Sequence, residues 1–179
     1  MKFLLDACVL YPTVMREVLL GAAHAGLYSP LWSARLLEEW RRAAARRGAL
    51  EGMQAQSEIT MVKAAWPAAE VTWAPSLEAR LWLPDANDVH VLAAAIAGNA
   101  EGIVTVNAKD FPRNILAEEG VSRADPDALL HGFWEANPET IQSVVTAVLE
   151  TANAMSDTDW TARSLLKKAR LPRLGKALS

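Results

Sequence analysis

Four acids stand where a metal-dependent hydrolase could use them. Asp6 closes the apolar run Phe3 to Leu5, and Glu39 follows Ser33 in an arginine-rich stretch. Asp88 opens an alanine-rich segment, and Asp110 comes just after the run Ile103 to Val106. Carboxylates brought together without cations repel one another. A hard divalent ion such as Mg²⁺ or Mn²⁺ relieves that repulsion because it takes oxygen ligands. It commonly keeps several waters and can activate one of them against a phosphodiester. Asp85, three residues before Asp88, can complete the shell or position a water, and Asn107 offers a neutral amide oxygen beside Asp110. The second station is open between Glu39 and its neighbour Glu38, since a helical glutamate among arginines also serves as a solvated i,i+4 partner.

The elements that must carry these acids follow from hydrophobic period. Phe3 to Leu5 reads as a short strand. After Pro12, the residues Val14, Val18, Leu19 and Ala22 recur at helical spacing until Gly26. Ser33 caps a helix with Leu36, Leu37 and Trp40 on its apolar stripe and arginines on the other side. The pattern predicts a further helix over Ser57 to Trp66, a strand at Val71-Thr72-Trp73, a helix from about Asn87 to Ala97 and a buried strand from Ile103 to Val106. Strands alternating with helices imply an α/β sandwich around a parallel sheet. Reactive groups in such sheets gather beyond the carboxyl ends of the strands. That rule brings Asp6 and the Asn107–Asp110 segment into one crevice. From Asp125 the sheet-forming runs stop, and helices are expected at Pro126 to Glu135, Pro138 to Ala154 and Asp159 to Ala169. The chain therefore divides into an α/β domain over 1–124 and a helical extension over 125–179.

Composition narrows the class. The 179 residues are 51% apolar, enough for one core of roughly 100–150 residues and an appendage. No uncharged apolar run approaches the roughly 20 residues that span a bilayer. No secretory leader is readable, and the single cysteine, Cys8, rules out an internal disulfide framework. A reducing cytoplasm is the expected location, with no membrane contact. Net charge is −3, yet the cations cluster. The stretch Ser33 to Gly48 carries a net +3, and the chain after Asp159 carries +6 with no acid. Arginine beside a carboxylate site can hold phosphates that flank a scissile one, which makes Arg16, Arg41 and Arg42 candidates for phosphate contact. The basic amphipathic tail could dock on the body, contact RNA or receive a protein segment. The seven tryptophans are expected mostly as core anchors, and His90 as a packed helical histidine or a substrate contact.

The segments Leu83-Pro84-Asp85-Ala86-Asn87-Asp88-Val89-His90-Val91-Leu92-Ala93-Ala94-Ala95 and Ile103-Val104-Thr105-Val106-Asn107-Ala108-Lys109-Asp110-Phe111-Pro112 resemble the signature of a branch of the PIN-domain family. Asp6 with Ala7, and Ser33 followed by Glu39, match its other two acidic stations. The resemblance covers about residues 1 to 130 and is closest to VapC-type toxin ribonucleases that carry a helical tail. It implies a PIN-like three-layer α/β/α sandwich with a central parallel sheet. It also implies a Mg²⁺- or Mn²⁺-dependent endoribonuclease acting on structured RNA and restrained by a cognate antitoxin, with a homodimer as a possible assembly. Carried over residue by residue, Asp6, Glu39, Asp88 and Asp110 are the catalytic and metal-binding acids, with Asp85, Thr105 and Asn107 in support. Many PIN domains place an acid where Asn107 stands. That departure keeps two competitors open: a non-catalytic RNA- or protein-binding module, and a DNA flap or repair nuclease on the same fold.

Overall fold

Phe3, Leu4 and Leu5 are all buried, as befits a strand covered on both faces of a parallel sheet. The computed structural model describes residues 1–179. In chain order its elements are β1 (Lys2–Leu5), α1 (Ala7–Leu10), α2 (Thr13–His24), β2 (Ser29–Leu31), α3 (Ala34–Ala45), α4 (Ala49–Ala65), α5 (Pro75–Arg80) and α6 (Val89–Ala97). They continue with β3 (Gly102–Val104), α7 (Arg113–Glu118), β4 (Ser122–Ala124), α8 (Pro126–Ala136), α9 (Pro138–Ala154), α10 (Ala162–Lys168) and α11 (Pro172–Ala177). No helix is long and apolar enough to cross a membrane.

The chain forms two compact units. The first, Met1–Tyr11 with Ser29–Ala124, holds a four-stranded, all-parallel sheet in the order β2-β1-β3-β4. This is the PIN-like α/β arrangement that the sequence implied. The chain leaves β1 for β2 on one side and returns to β3 on the other, so the topological switch point lies between β1 and β3. Ligands of open α/β sheets bind beyond the carboxyl ends of the strands at such a point. The register pairs Leu4 with Ile103 and Leu5 with Val104. Asp6 and Thr105 therefore emerge side by side. Leu4, Leu31, Leu36, Leu83, Leu92, Ile103 and Phe111 make one apolar cluster beneath them, and the fully buried alanines Ala93, Ala94 and Ala95 let α6 pack closely on β1 and β3.

The second unit, Pro12–Tyr28 with Asp125–Ser179, is helical. It groups residues 12–28 with the C-terminal helices. Gly21 accounts for part of this: a Cβ there would stand 2.6 Å from Val144 Cγ1, so only glycine allows α2 to approach α9 so closely. The ring of Tyr28 stacks on Phe133 with centroids 5.6 Å apart.

Other expectations are corrected by the structure. Val71 to Trp73 is not a strand, and only Glu70 bridges, to Trp32. The short strands β2 and β4, three residues each, give too little alternation to be read, and α4 begins eight residues before Ser57. Of the seven tryptophans only Trp32 and Trp40 are fully buried, while Trp82 is 65% exposed.

Candidate metal centre

Asp6 is the first residue beyond β1. Its backbone N–H donates to Val104 O at 3.1 Å and extends the ladder by one residue. Its Oδ1 accepts from Ala7 N at 2.8 Å, capping α1. Its Oδ2 accepts from Thr105 Oγ1 at 2.8 Å and from the Cys8 thiol at 3.3 Å. The Thr105 hydroxyl in turn accepts from Asn107 N at 3.0 Å, and Asn107 Nδ2 donates to Asp110 Oδ2 at 2.7 Å. A continuous chain of hydrogen bonds thus fixes Asp6, Thr105, Asn107 and Asp110 relative to one another. Asp85 caps the 3-10 turn Ala86–Asp88 by accepting from Asn87 N at 2.9 Å. Carboxylate oxygens of Asp85, Asp88 and Asp110 all lie within 4.8 Å of one another.

The electrostatics follow from this crowding. Burial pushes the Asp6 carboxyl above its ordinary value, opposed by the bonds from Thr105, Cys8 and Ala7 N, while the charge of Glu39 adds to the rise. Asp88 is pushed up to about 6, first by desolvation and then by the charges of Asp6, Asp85, Asp110 and Glu39. Five carboxylates therefore share one field, and no lysine or arginine pairs with Asp6, Glu39, Asp85, Asp88 or Asp110. A like-charged oxygen donor set of this kind suits a hard divalent cation. Cys8 is pushed up to about 12 by burial and by the charge of Asp6, so it stays a thiol and serves as a donor, not as a nucleophile or a soft metal ligand.

The two glutamates of α3 differ in their partners. Glu38 accepts from Arg41 Nε at 2.9 Å and Nη2 at 2.7 Å, and from Arg42 Nε at 3.1 Å. These bonds hold its carboxyl down at about 2. Glu39 faces the other way, contributing to the field at Asp6 and Asp88, and its Oε1 lies 2.8 Å from His90 Nε2. His90 is 1% exposed, and neither of its ring nitrogens has a hydrogen-bond partner, so the imidazole and Glu39 are in close approach without a formed hydrogen bond.

The arginines named for phosphate contact have partners within the protein. Arg41 and Arg42 share the one carboxylate of Glu38, which leaves a net positive charge on that face. Arg16 belongs to the second unit, where it is buried and engaged within the protein, so no phosphate role is carried forward for it. The sequence singled out His90 but not its approach to Glu39, and it gave the Cys8 thiol no role on Asp6. Their signals were the spacing of two residues after Asp6 and of two residues after Asp88.

Comparison with known proteins fits this geometry. A family model described as PIN domain matches residues 2–109, a span that holds β1, β3 and four of the five acids, with Asp110 adjoining its end. The chain belongs to the PIN-domain family. It is 35% identical over 79 residues to a Mycobacterium tuberculosis protein named "Putative ribonuclease VapC50", a match covering 44% of this chain and 45% of that protein. The chain thus spans less than half the length of the curated relative it matches. No solved structure matches the chain.

Proposed function

We propose that this protein is a metal-dependent endoribonuclease, the toxin of a type II toxin–antitoxin pair, acting on structured RNA in the cytoplasm. The observation that carries the reading is the convergence of Asp6, Glu39, Asp85, Asp88 and Asp110 at the switch point of a PIN sheet with no cation among them. The name of the mycobacterial relative supports ribonuclease chemistry, and its VapC designation supports an antitoxin partner and leaves room for a homodimer.

Asp6, Glu39, Asp88 and Asp110 would hold one or more Mg²⁺ or Mn²⁺ ions, with Asp85 beside them. When bound, such an ion supplies Lewis acidity at a phosphodiester and lowers the pKa of a water. The chain's own groups do the orienting. Thr105 and Cys8 fix which lone pairs of Asp6 remain free, since both donate to Oδ2. Asn107 does the same for Asp110, leaving Oδ1 unengaged by the amide. Asn107 thereby takes a positioning role beside Asp110, in place of the acid that many PIN domains have at its position. His90 lies beside Glu39, with Nε2 2.8 Å from Oε1. The carboxylates repel substrate phosphate until a cation neutralises them, which couples substrate entry to metal loading.

The same amide at position 107 favours one competitor, a binding module without hydrolysis. Incubating cellular RNA with purified protein separates the two. The nuclease reading expects discrete fragments with Mn²⁺, none with EDTA, and none from Asp88→Asn. Intact RNA in every lane would leave the binding module.

A further inference from the structure

The last twenty residues carry Arg163, Lys167, Lys168, Arg170, Arg173 and Lys176 and no acid, in a chain whose net charge is −3. In the structure all six are exposed, and no carboxylate pairs with any of them. Lys168 alone has a partner for its charge, the ring of Trp160 at 5.2 Å. Like charges face one another on the helices: Arg163 and Lys167 are four residues apart, and Arg173 and Lys176 three, spacings at which equal charges are destabilising. The apolar residues of the same segment, Leu165, Leu166, Leu171 and Leu174, are buried beneath. The surface therefore offers a polyanion everything it needs and a hydrophobic partner nothing.

Arg170 adds an independent observation. Four helices of this protein end in the same way, with a residue in the left-handed conformation and paired bonds closing the last turn. At α2, α6, α7 and α10 those residues are Gly26, Asn99, Gly120 and Arg170, with φ of 86°, 54°, 71° and 65°. At α10 the closing bonds are Leu171 N to Leu166 O at 2.8 Å and Arg170 N to Lys167 O at 3.2 Å. Glycine fits that position without a Cβ penalty, and asparagine is the usual second choice. Arginine is neither, so the fold accepts backbone strain to keep a cation at the turn. The turn is also held firmly: Asp127 accepts from Arg173 N at 2.8 Å and from Leu174 N at 2.9 Å, tying the start of α11 to α8.

We infer that the outer face of α10, its turn and α11 is a second nucleic-acid site, made of residues outside the acid cluster, that grips the phosphate backbone of RNA without reading its sequence. The nuclease reading enters only in the choice of RNA over an acidic protein. Phosphate contacts of this kind set affinity and its salt dependence, not specificity.

Binding of a fluorescein-labelled single-stranded RNA, in EDTA so that nothing is cut, tests the site across a range of NaCl concentrations. Two variants are compared with wild type: Arg170→Gly alone, and Arg163→Gln, Lys167→Gln, Arg170→Gly and Arg173→Gln together. The fourfold variant is expected to bind at least about tenfold more weakly, with its log–log salt slope reduced by about 3, and the single variant by about 0.7. Arg170→Gly is also expected to melt no lower than wild type, which a structural role for the arginine would not allow. Unchanged affinity and slope in the fourfold variant would overturn the proposal. So would intact RNA binding with loss of binding to poly-glutamate, which would assign the face to an acidic protein. RNA cleavage by a wild-type protein whose variants bind unchanged would refute this site alone, whereas a fallen slope without cleavage would refute the nuclease alone.

Discussion

Two regions of this protein assemble like charges, and they do so in opposite ways. In the α/β unit five carboxylates converge in a partly buried cluster, where desolvation and mutual repulsion lift Asp88 to about 6. In the helical unit six cations stand in water, where screening keeps their repulsion small. The first arrangement is destabilised until a compact, multivalent counter-charge enters, which is what a divalent ion is. The second costs little while unliganded and is matched to an extended partner bearing many single charges. The difference teaches that burial, not charge count, decides what kind of ligand a like-charged cluster awaits.

The comparison breaks most visibly at the acids. Asp6→Asn and Asp88→Asn are each expected to lower metal-dependent RNA cleavage by at least about a hundredfold, since even outer-shell partners of a metal are worth 10–100-fold. Asp88→Asn should nevertheless raise the melting temperature of the metal-free protein at neutral pH, because it removes a charge that its surroundings oppose. Higher activity loss and higher stability from one substitution is the signature of a site held against its own repulsion.

Thr105→Val comes next. It withdraws the donor to Asp6 Oδ2, where both residues are buried. A loss of about 1–3 kcal/mol in chemical denaturation and a 10–100-fold weaker Mn²⁺ affinity are expected. In the helical unit, Asp127→Ala removes both acceptors at the start of α11. It should cost about 1–2 kcal/mol and weaken RNA binding in EDTA while leaving Mn²⁺ affinity unchanged by titration.

The pH dependence has a definite sign. The folded-state pKa of Asp88 lies above its unfolded value, so the stability linked to this group is fully present below about pH 4 and is lost as pH rises through about 6. Melting temperatures of metal-free protein should fall across that window, and less so in Asp88→Asn. The smallest effect is expected from Glu38→Gln. Its carboxylate binds the exposed guanidinium groups of Arg41 and Arg42, so Mn²⁺ affinity should not move, whereas Glu39→Gln should weaken it.

Much of this was legible in the sequence because the site sits on well-patterned segments. The strand end at Asp6, the alanine-rich α6 and the run at Ile103 are each dictated by local apolar pattern, and the switch point then places Asp6, Thr105 and Asn107 together. What stayed hidden depended on tertiary facts. The strands β2, Ser-Pro-Leu, and β4, Ser-Arg-Ala, carry no apolar run to read. Gly21 looks like any helical glycine until Val144 packs against it. The difference between Glu38 and Glu39 depends on which way the arginines of α3 turn, and the approach of Glu39 to His90 joins residues 51 positions apart in the chain. The strain at Arg170 cannot be seen before its φ is known.

A divalent cation is what the acid cluster is proposed to take. Calorimetric titration of Mn²⁺ into metal-free protein at neutral pH, with wild type and Asp88→Asn side by side, tests it most directly. Saturable binding that raises the melting temperature of wild type, and is lost or much weakened in the variant, is the predicted result. No saturable heat and no stabilisation in wild type, or equal binding by both proteins, would contradict it.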